Sequence, residues 1–524
     1  MYHRYCIVLI ILFLQAPAIS AQNNAFQTWN SAQNLFHRSP IALSGTHPIP
    51  AEHIETRSDI DLSPQLKAFT DGIVLHGKHL DTQEKVWPGY RILDQPILIN
   101  KPGEAAVLIG HPSPPSDYAQ YDDPNLPKDV PIHVLNGGIA NAPPMSFHYP
   151  INSTDGFLYT IDNDRDTQKF FQLVAHERFH VYQGSWHAPD WTDDAYPIES
   201  VSNLALAMLE QYVLAQTIEV SDTKSRADLA KDFIAVRNSR YKQFSNESFK
   251  LELRQEWSEG TANYADHIAA ENTYAYDGKE DLVFMLRDMQ LEVSGMKKWR
   301  YYATGAAICY ILDDLKAENW QKGVESGLSP YMILEQSLSL SEDEAQARLA
   351  DTKQRFDYDQ TLIEAQELVE EYKRNTKKAW EDFMNAPGYR MKLFPSPNGG
   401  SFSASGKKYD LENGWLYSDG KLHYGEQLYH LKTQDRTFFL NFKYPDYIET
   451  NLIGDGTIMI DQNQWEISGK NGIFPFTTLL IREPGLDMHI DIPGTLKVNG
   501  RNIEIRINQA APHASPAPPR PHQG

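Results

Sequence analysis

Leu173-Val174-Ala175-His176-Glu177-Arg178-Phe179-His180-Val181-Tyr182-Gln183 is the stretch on which the reading of this chain turns. Phe170 and Phe171 lead into it, and Asp166 or Thr167 stands where a helix cap belongs. The segment is therefore predicted to be a buried helix running to about Gln183. Residues four apart share a helix face, so His176 and His180 aim two imidazoles at one point. Two imidazoles so placed can hold a tetrahedral zinc ion, and Glu177 can take a proton from a water beside it. Buried without a partner, the same three residues would be costly.

Zinc needs a third protein ligand. His187 follows Gly184, but one residue later than the metzincin spacing requires. Three glutamates remain. Glu199 follows His180 after eighteen intervening residues, the spacing of aminopeptidase-type gluzincins. Glu210 closes Leu206-Ala207-Met208-Leu209-Glu210, and Glu259 opens Glu259-Gly260-Thr261-Ala262-Asn263-Tyr264-Ala265-Asp266. Context favours Glu259: the small residues after it would let its helix lie close to the His176 helix, as short metal bonds require. Asn263, one turn on, would share that side and accept an imidazole N–H.

Outward from this centre the chain changes character twice. Between about 96 and 162, short apolar or alternating runs at Ile97-Leu98-Ile99, Ala105 to Ile109, Ile132 to Leu135, Met145 to Tyr149 and Phe157 to Ile161 read as a small sheet. Residues 22 to about 95 carry few strong periodic segments. Beyond the His176 helix, three- and four-residue apolar spacing predicts helices near 195–219, 223–244, 248–271, 279–292, 300–317, 328–337, 341–352 and 357–385. At Ala386-Pro387-Gly388 the composition switches to Gly, Asn, Tyr, Phe and Ile. Runs such as Phe438 to Phe442, Met488 to Ile492 and Ile503 to Ile507 predict a β-sandwich or barrel-like module.

The 524 residues carry a net charge of -21, and so acidic a surface argues against nucleic acid as the partner. The start reads Met1-Tyr2-His3-Arg4, an apolar run from Cys6 to Leu14, then Gln15-Ala16-Pro17-Ala18-Ile19-Ser20-Ala21. These match the three regions of a secretory signal peptide, and the run is too short to span a bilayer. Cleavage after Ala21 or Ser20 would remove Cys6 and leave Cys309 alone, excluding an intrachain disulfide. No nucleotide loop, Ser-His-Asp signature or Cys-His pair supports another enzyme class.

Glu259-Gly260 with Tyr264 and Asp266 resembles the glutamate helix of the gluzincin superfamily of zinc metallopeptidases, a resemblance that implies Glu259 as zinc ligand and a zincin fold. More closely, the chain resembles a family of uncharacterised exported bacterial proteins. The matching pieces are His176-Glu177-x-Phe179-His180-x-x-Gln183, Leu209-Glu210, Phe233-Ile234-Ala235-Val236-Arg237 with Arg240, Glu256-x-x-Glu259-Gly260-x-Ala262-x-Tyr264, and Tyr301-Tyr302-Ala303-Thr304-Gly305-Ala306-Ala307 leading to Leu312-Asp313. They cover roughly residues 165–335. The resemblance also implies that Tyr301 or Tyr302 donates a hydrogen bond to an oxyanion. The aminopeptidases' Gly-Ala-Met-Glu-Asn stretch is absent. Arg237 and Arg240 can pair with Glu210 or Glu256, and Gly305-Ala306-Ala307 reads as close helix packing.

The expected fold class is α+β: a signal peptide over 1–21, a zincin-like domain over 22–388 (sheet about 96–162, helical 166–388), a C-terminal all-β module over 389–507 and a disordered tail over 508–524. The expected function is a secreted or periplasmic zinc metallopeptidase acting on peptide or protein substrates, with no membrane span. His176, His180 and Glu259 would hold zinc, Glu177 would be the general base, and Tyr302 or Tyr301 would assist. The alternative is a non-peptidase hydrolase or metal-binding scaffold. Its β module, with Trp415, Tyr417, Tyr424, Tyr429 and Trp465, would bind carbohydrate or protein.

Overall fold

The computed structural model describes residues 61–507, apart from 141, 162–165, 189–196, 244–248, 289–292, 297–298, 396–400, 427–428, 442–446, 454–456 and 467–469. The expected signal peptide and tail lie outside the described residues. The chain is α+β, a mostly helical part followed by an all-β sheet. The described residues fall into two compact units, divided between Tyr372 and Lys373.

The first unit opens with helix α1 (Pro64–Gln83), which sequence periodicity does not announce. Ser63 caps it, Pro64 starts it, and Leu66, Phe69, Ile73, Val74 and Leu80 bury one face. A six-stranded mixed sheet follows: β1 (Ile97–Lys101), β2 (Ala105–Ile109), β3 (Ala119–Gln120), β4 (Ile132–Asn136), β5 (Met145–Ile151) and β6 (Thr154–Thr160). The strand order is β3-β4-β2-β1-β6-β5, with β1 and β6 parallel and the other pairs antiparallel. Every strand expected from the apolar runs is present.

Helix α2 (Thr167–Gln183) carries the His176 stretch. The Asp166 carboxylate accepts from the backbone N–H of Gln168 and Lys169, which fixes its start. Phe69 of α1 stacks on Phe170 at 4.0 Å between ring centroids, so the unforeseen helix backs the predicted one. The helices beyond are α3 (Val201–Glu219), α4 (Thr223–Gln243), α5 (Lys250–Gln255), α6 (Thr261–Glu271), α7 (Gly278–Asp288), α8 (Val293–Met296), α9 (Trp299–Asp314), α10 (Trp320–Glu325), α11 (Pro330–Leu338), α12 (Glu342–Arg355) and α13 (Tyr358–Asn385). One unforeseen feature bears on function: the helix predicted over 248–271 is present from Lys250 to Glu271 but contains a π turn, Glu256–Gly260, between α5 and α6. Among the described residues, no helix is long and apolar enough to cross a membrane.

In the second unit the end of α13 packs its Phe383 with Tyr409, Leu416 and Phe439 of the sheet. The strands run from β7 (Tyr389–Phe394) and β8 (Ser401–Leu411) through β9 (Gly414–Glu426), β10 (Tyr429–Asn441), β11 (Tyr447–Leu452), β12 (Thr457–Ile460), β13 (Asn463–Gln464), β14 (Gly472–Phe476) and β15 (Leu479–Glu483) to β16 (Leu486–Ile490), β17 (Gly494–Asn499) and β18 (Asn502–Ile507). Among the described residues they form one twelve-stranded, half-barrel sheet rather than the two facing sheets of a sandwich. The cause is β10, which pairs with β9 along one edge. Its other edge is shared by β16 near its start and β11 near its end. Such forking curls a sheet around one apolar face. Tyr417, Tyr424 and Tyr429 are buried in that core, and Trp415 and Trp465 pack against it. The aromatics considered for ligand binding therefore serve the sheet's own packing.

Candidate metal centre

His176 and His180 lie on consecutive turns of α2, and Glu259 reaches them from the π turn. The Nε2 atoms of the two imidazoles are 3.1 Å apart. Glu259 Oε2 lies 3.5 Å from His176 Nε2 and 3.2 Å from His180 Nε2. A tetrahedral zinc ion with bonds of about 2.0–2.1 Å holds neighbouring ligand atoms about 3.3–3.4 Å apart. The triangle of donor atoms thus matches one face of such a tetrahedron. Among the described residues this is the group of His, Cys, Asp and Glu side chains arranged to hold a metal ion.

The tautomers follow from the outer partners. His176 Nδ1 is 2.8 Å from Asp266 Oδ2, and a carboxylate can only accept, so Nδ1 carries the hydrogen. His180 Nδ1 is 2.7 Å from Gln183 Oε1. The Gln183 amide orientation is set in turn, because its Nε2 donates to the Ser258 carbonyl at 2.8 Å and to Thr261 Oγ1 at 2.7 Å. With hydrogen on Nδ1, each imidazole turns its Nε2 toward the same point as a carboxylate oxygen. Two imidazole nitrogens and a carboxylate oxygen converging in a largely enclosed site suit a proton, a water or a metal between them.

The electrostatics agree. Burial works to lower the His176 imidazole, but Asp266 and Glu259 outweigh it and push its pKa up to about 10. His180 is raised as well, with Glu259 overcoming the effect of burial. Burial would raise the Glu259 carboxyl, yet the two imidazoles hold it well below the usual carboxylate range. Glu177 is fully buried on α2, and its charge raises both imidazoles.

The other candidates are accounted for. Glu210 is fully buried but accepts from Arg237 and Arg240, at 3.0 Å and 2.5 Å. Glu199 lies just before α3 and outside the triad, and the backbone N–H of His187 bonds to the Glu325 carbonyl. The Tyr302 ring lies parallel to the His176 ring, with centroids 5.9 Å apart. Tyr301 is buried with the Arg300 guanidinium 4.9 Å above its ring.

Two expectations are corrected. Asn263 does not reach an imidazole: its Nδ2 donates to the Tyr302 carbonyl at 3.3 Å, and Asp266, two turns past Glu259, takes the role given to it. The glutamate helix does lie close to α2, as expected, with Thr261 and Asp266 reaching Gln183 and His176, but Gly260 is not what permits it: its open side faces Gly305 of α9, where an added Cβ would come within 2.5 Å of the Gly305 Cα. Asp266 and Gln183 were visible in the sequence as an acid and an amide at helical spacing from Glu259 and His180. Which nitrogen each would meet depended on packing.

Comparisons of the chain with protein-family models, with curated proteins and with solved structures find no match.

Proposed function

We propose that this protein is a zinc metallopeptidase of gluzincin type that acts outside the cytoplasm. The observation that carries the reading is the convergence of His176 Nε2, His180 Nε2 and Glu259 Oε2 at 3.1–3.5 Å, with both imidazole Nδ1 atoms engaged elsewhere. Zinc held there would supply a Lewis acid for a scissile carbonyl and make a water acidic near neutral pH. Glu177, next to His176 on the same helix, takes the proton of the attacking water and returns it to the leaving amine. Asp266 and Gln183 keep the imidazoles oriented, and the Tyr302 ring lies flat against His176.

A peptide substrate is favoured by the neighbouring sheet. Strand β5 stands at one end of the strand order, and its Phe147 ring lies edge-on to His180 with centroids 6.5 Å apart. An extended peptide adding to β5 would run past the metal centre. The signal-like opening supports export.

The test is hydrolysis of a mixed peptide library by the purified protein. Cleavage that stops with chelator and returns with zinc is expected. A zinc-loaded protein that cleaves no peptide but hydrolyses an ester or a glycoside would contradict the peptidase reading.

A further inference from the structure

The glutamate that completes the triad comes from a helix that, if regular, would point it elsewhere. Glu252, Glu256 and Glu259 follow one another on the same rod, and at about 100° per residue an α-helix would keep them within about 60° of each other. Their partners differ. Glu252 and Glu256 face a fully buried set of arginines: Arg237 meets Glu256 and Glu210, Arg240 meets Glu210 and Glu252, and Arg300 meets Glu252. Glu259 meets His176 and His180. The divergence begins at the π turn Glu256–Gly260. One extra residue in a turn rotates the later part of a helix by up to about 100° against the earlier part.

A π turn gives up regular hydrogen-bond geometry and persists where its surroundings hold it. Here both of its ends are held. At the first residue, the Glu256 carboxylate accepts from Arg237 Nη1 at 2.8 Å, from Arg237 Nη2 at 2.9 Å and from Thr304 Oγ1 at 2.5 Å. At the last, Gly260 lies directly against Gly305. A Cβ added to Gly305 would come within 2.6 Å of the Gly260 Cα and 2.8 Å of the Glu256 carbonyl oxygen. The neighbours Thr304 and Gly305 of α9 thus grip the two ends of the turn, and Arg237 of α4 fixes the Glu256 side chain.

We propose that Arg237, Thr304 and Gly305 clamp the π turn and act as positioning residues for the metal centre, holding the backbone in the register that presents Glu259 to His176 and His180. This rests on the metal reading of the triad and adds the origin of the third ligand's geometry. Loosening the clamp lets the turn relax toward a regular helix and carries Glu259 away from the imidazoles, while the two histidines on α2 stay in place.

The experiment measures zinc affinity of the full chain by chelator competition, with circular dichroism and Tm recorded for each variant. Thr304→Val removes only the hydroxyl; Thr304→Ser restores it. Gly305→Ala pushes on the turn from the other end. Asn203→Ala removes the 3.2 Å acceptor of Arg240 Nη1 at the far side of the same buried set, and so reports general weakening. Thr304→Val and Gly305→Ala are expected to bind zinc about tenfold or more weakly while folded, and Thr304→Ser to bind like the parent. Asn203→Ala is expected to lower Tm without changing affinity. Should Gly305→Ala fail to fold, Thr304→Val, which adds no bulk, decides. Folded Thr304→Val with parental affinity overturns the clamp, as does an equal loss in Asn203→Ala. A parent chain that takes up no zinc overturns the metal reading and the clamp together. A parent that binds zinc, loses it in His176→Ala and keeps it in Thr304→Val overturns the clamp alone.

Discussion

At the scale of single residues, the two histidines are held differently, His176 by a carboxylate and His180 by an amide, and this shapes how the site responds to protons. In the metal-free protein His176 is pushed up to about 10, so between pH 6 and 8 it carries a proton that zinc must displace. Zinc affinity is therefore expected to rise with pH, about tenfold per unit for each proton displaced. Chelator competition across that range checks this, and a flat profile would contradict it. Glu177→Gln is expected to keep zinc and lose at least about a hundredfold in peptide turnover, because only the base is removed. Full turnover in that variant would remove Glu177 from the mechanism. Glu259 and Glu210 separate two kinds of glutamate, one partly exposed beside imidazoles and one fully buried among arginines. Glu259→Gln is expected to release zinc to a chelator while the fold persists. Glu210→Gln leaves Arg237 and Arg240 short of a buried counter-charge and is expected to cost about 3–5 kcal/mol of stability in urea unfolding. The pairing of His176 with His180 could be read from sequence, because helical spacing alone sets them on one face. The partners of their Nδ1 atoms could not, since Asp266 meets His176 only through the packing of α6 on α2.

At the scale of elements, α2 shows how local chemistry and tertiary packing combine. Its start is written in the sequence: Asp166→Ala removes the acceptor of two backbone N–H bonds and is expected to cost about 1 kcal/mol, measured by denaturant unfolding. A cost near zero would show that packing alone sets the helix start. The strands β1, β2, β4, β5 and β6 were legible because each is a short apolar or alternating run between turn residues. Helix α1 was not, because Gly72 and Gly77 dilute its helical signal, although Ser63 and Pro64 mark its start. Those glycines lie where α1 passes close to Tyr274, Thr167 and Leu93. The π turn left no trace in periodicity either. The residues around it, from Glu252 to Ala270, are buried on several sides, so the apolar pattern gives no phase from which to detect one inserted residue.

At the scale of the whole molecule, all three converging residues lie in the first of the two units, as do the sheet strand beside them and the arginine set behind the π turn. The composition switch at Ala386-Pro387-Gly388 announced an all-β region. The compact division comes earlier, inside α13, because Phe383 joins the apolar cluster of the sheet. That the β strands make one forked sheet was beyond the sequence, since strand pairing across β10 depends on contacts between distant segments. The central claim about the molecule is that one metal ion sits among residues brought together from α2 and the π turn. It is tested most directly by anomalous scattering at the zinc edge from crystals of the purified chain. The expected result is a single peak within about 2.0–2.2 Å of His176 Nε2, His180 Nε2 and a Glu259 carboxylate oxygen. A zinc-supplemented crystal with no peak there, or with the ion held by Glu199 or Glu210 in place of Glu259, would contradict the account.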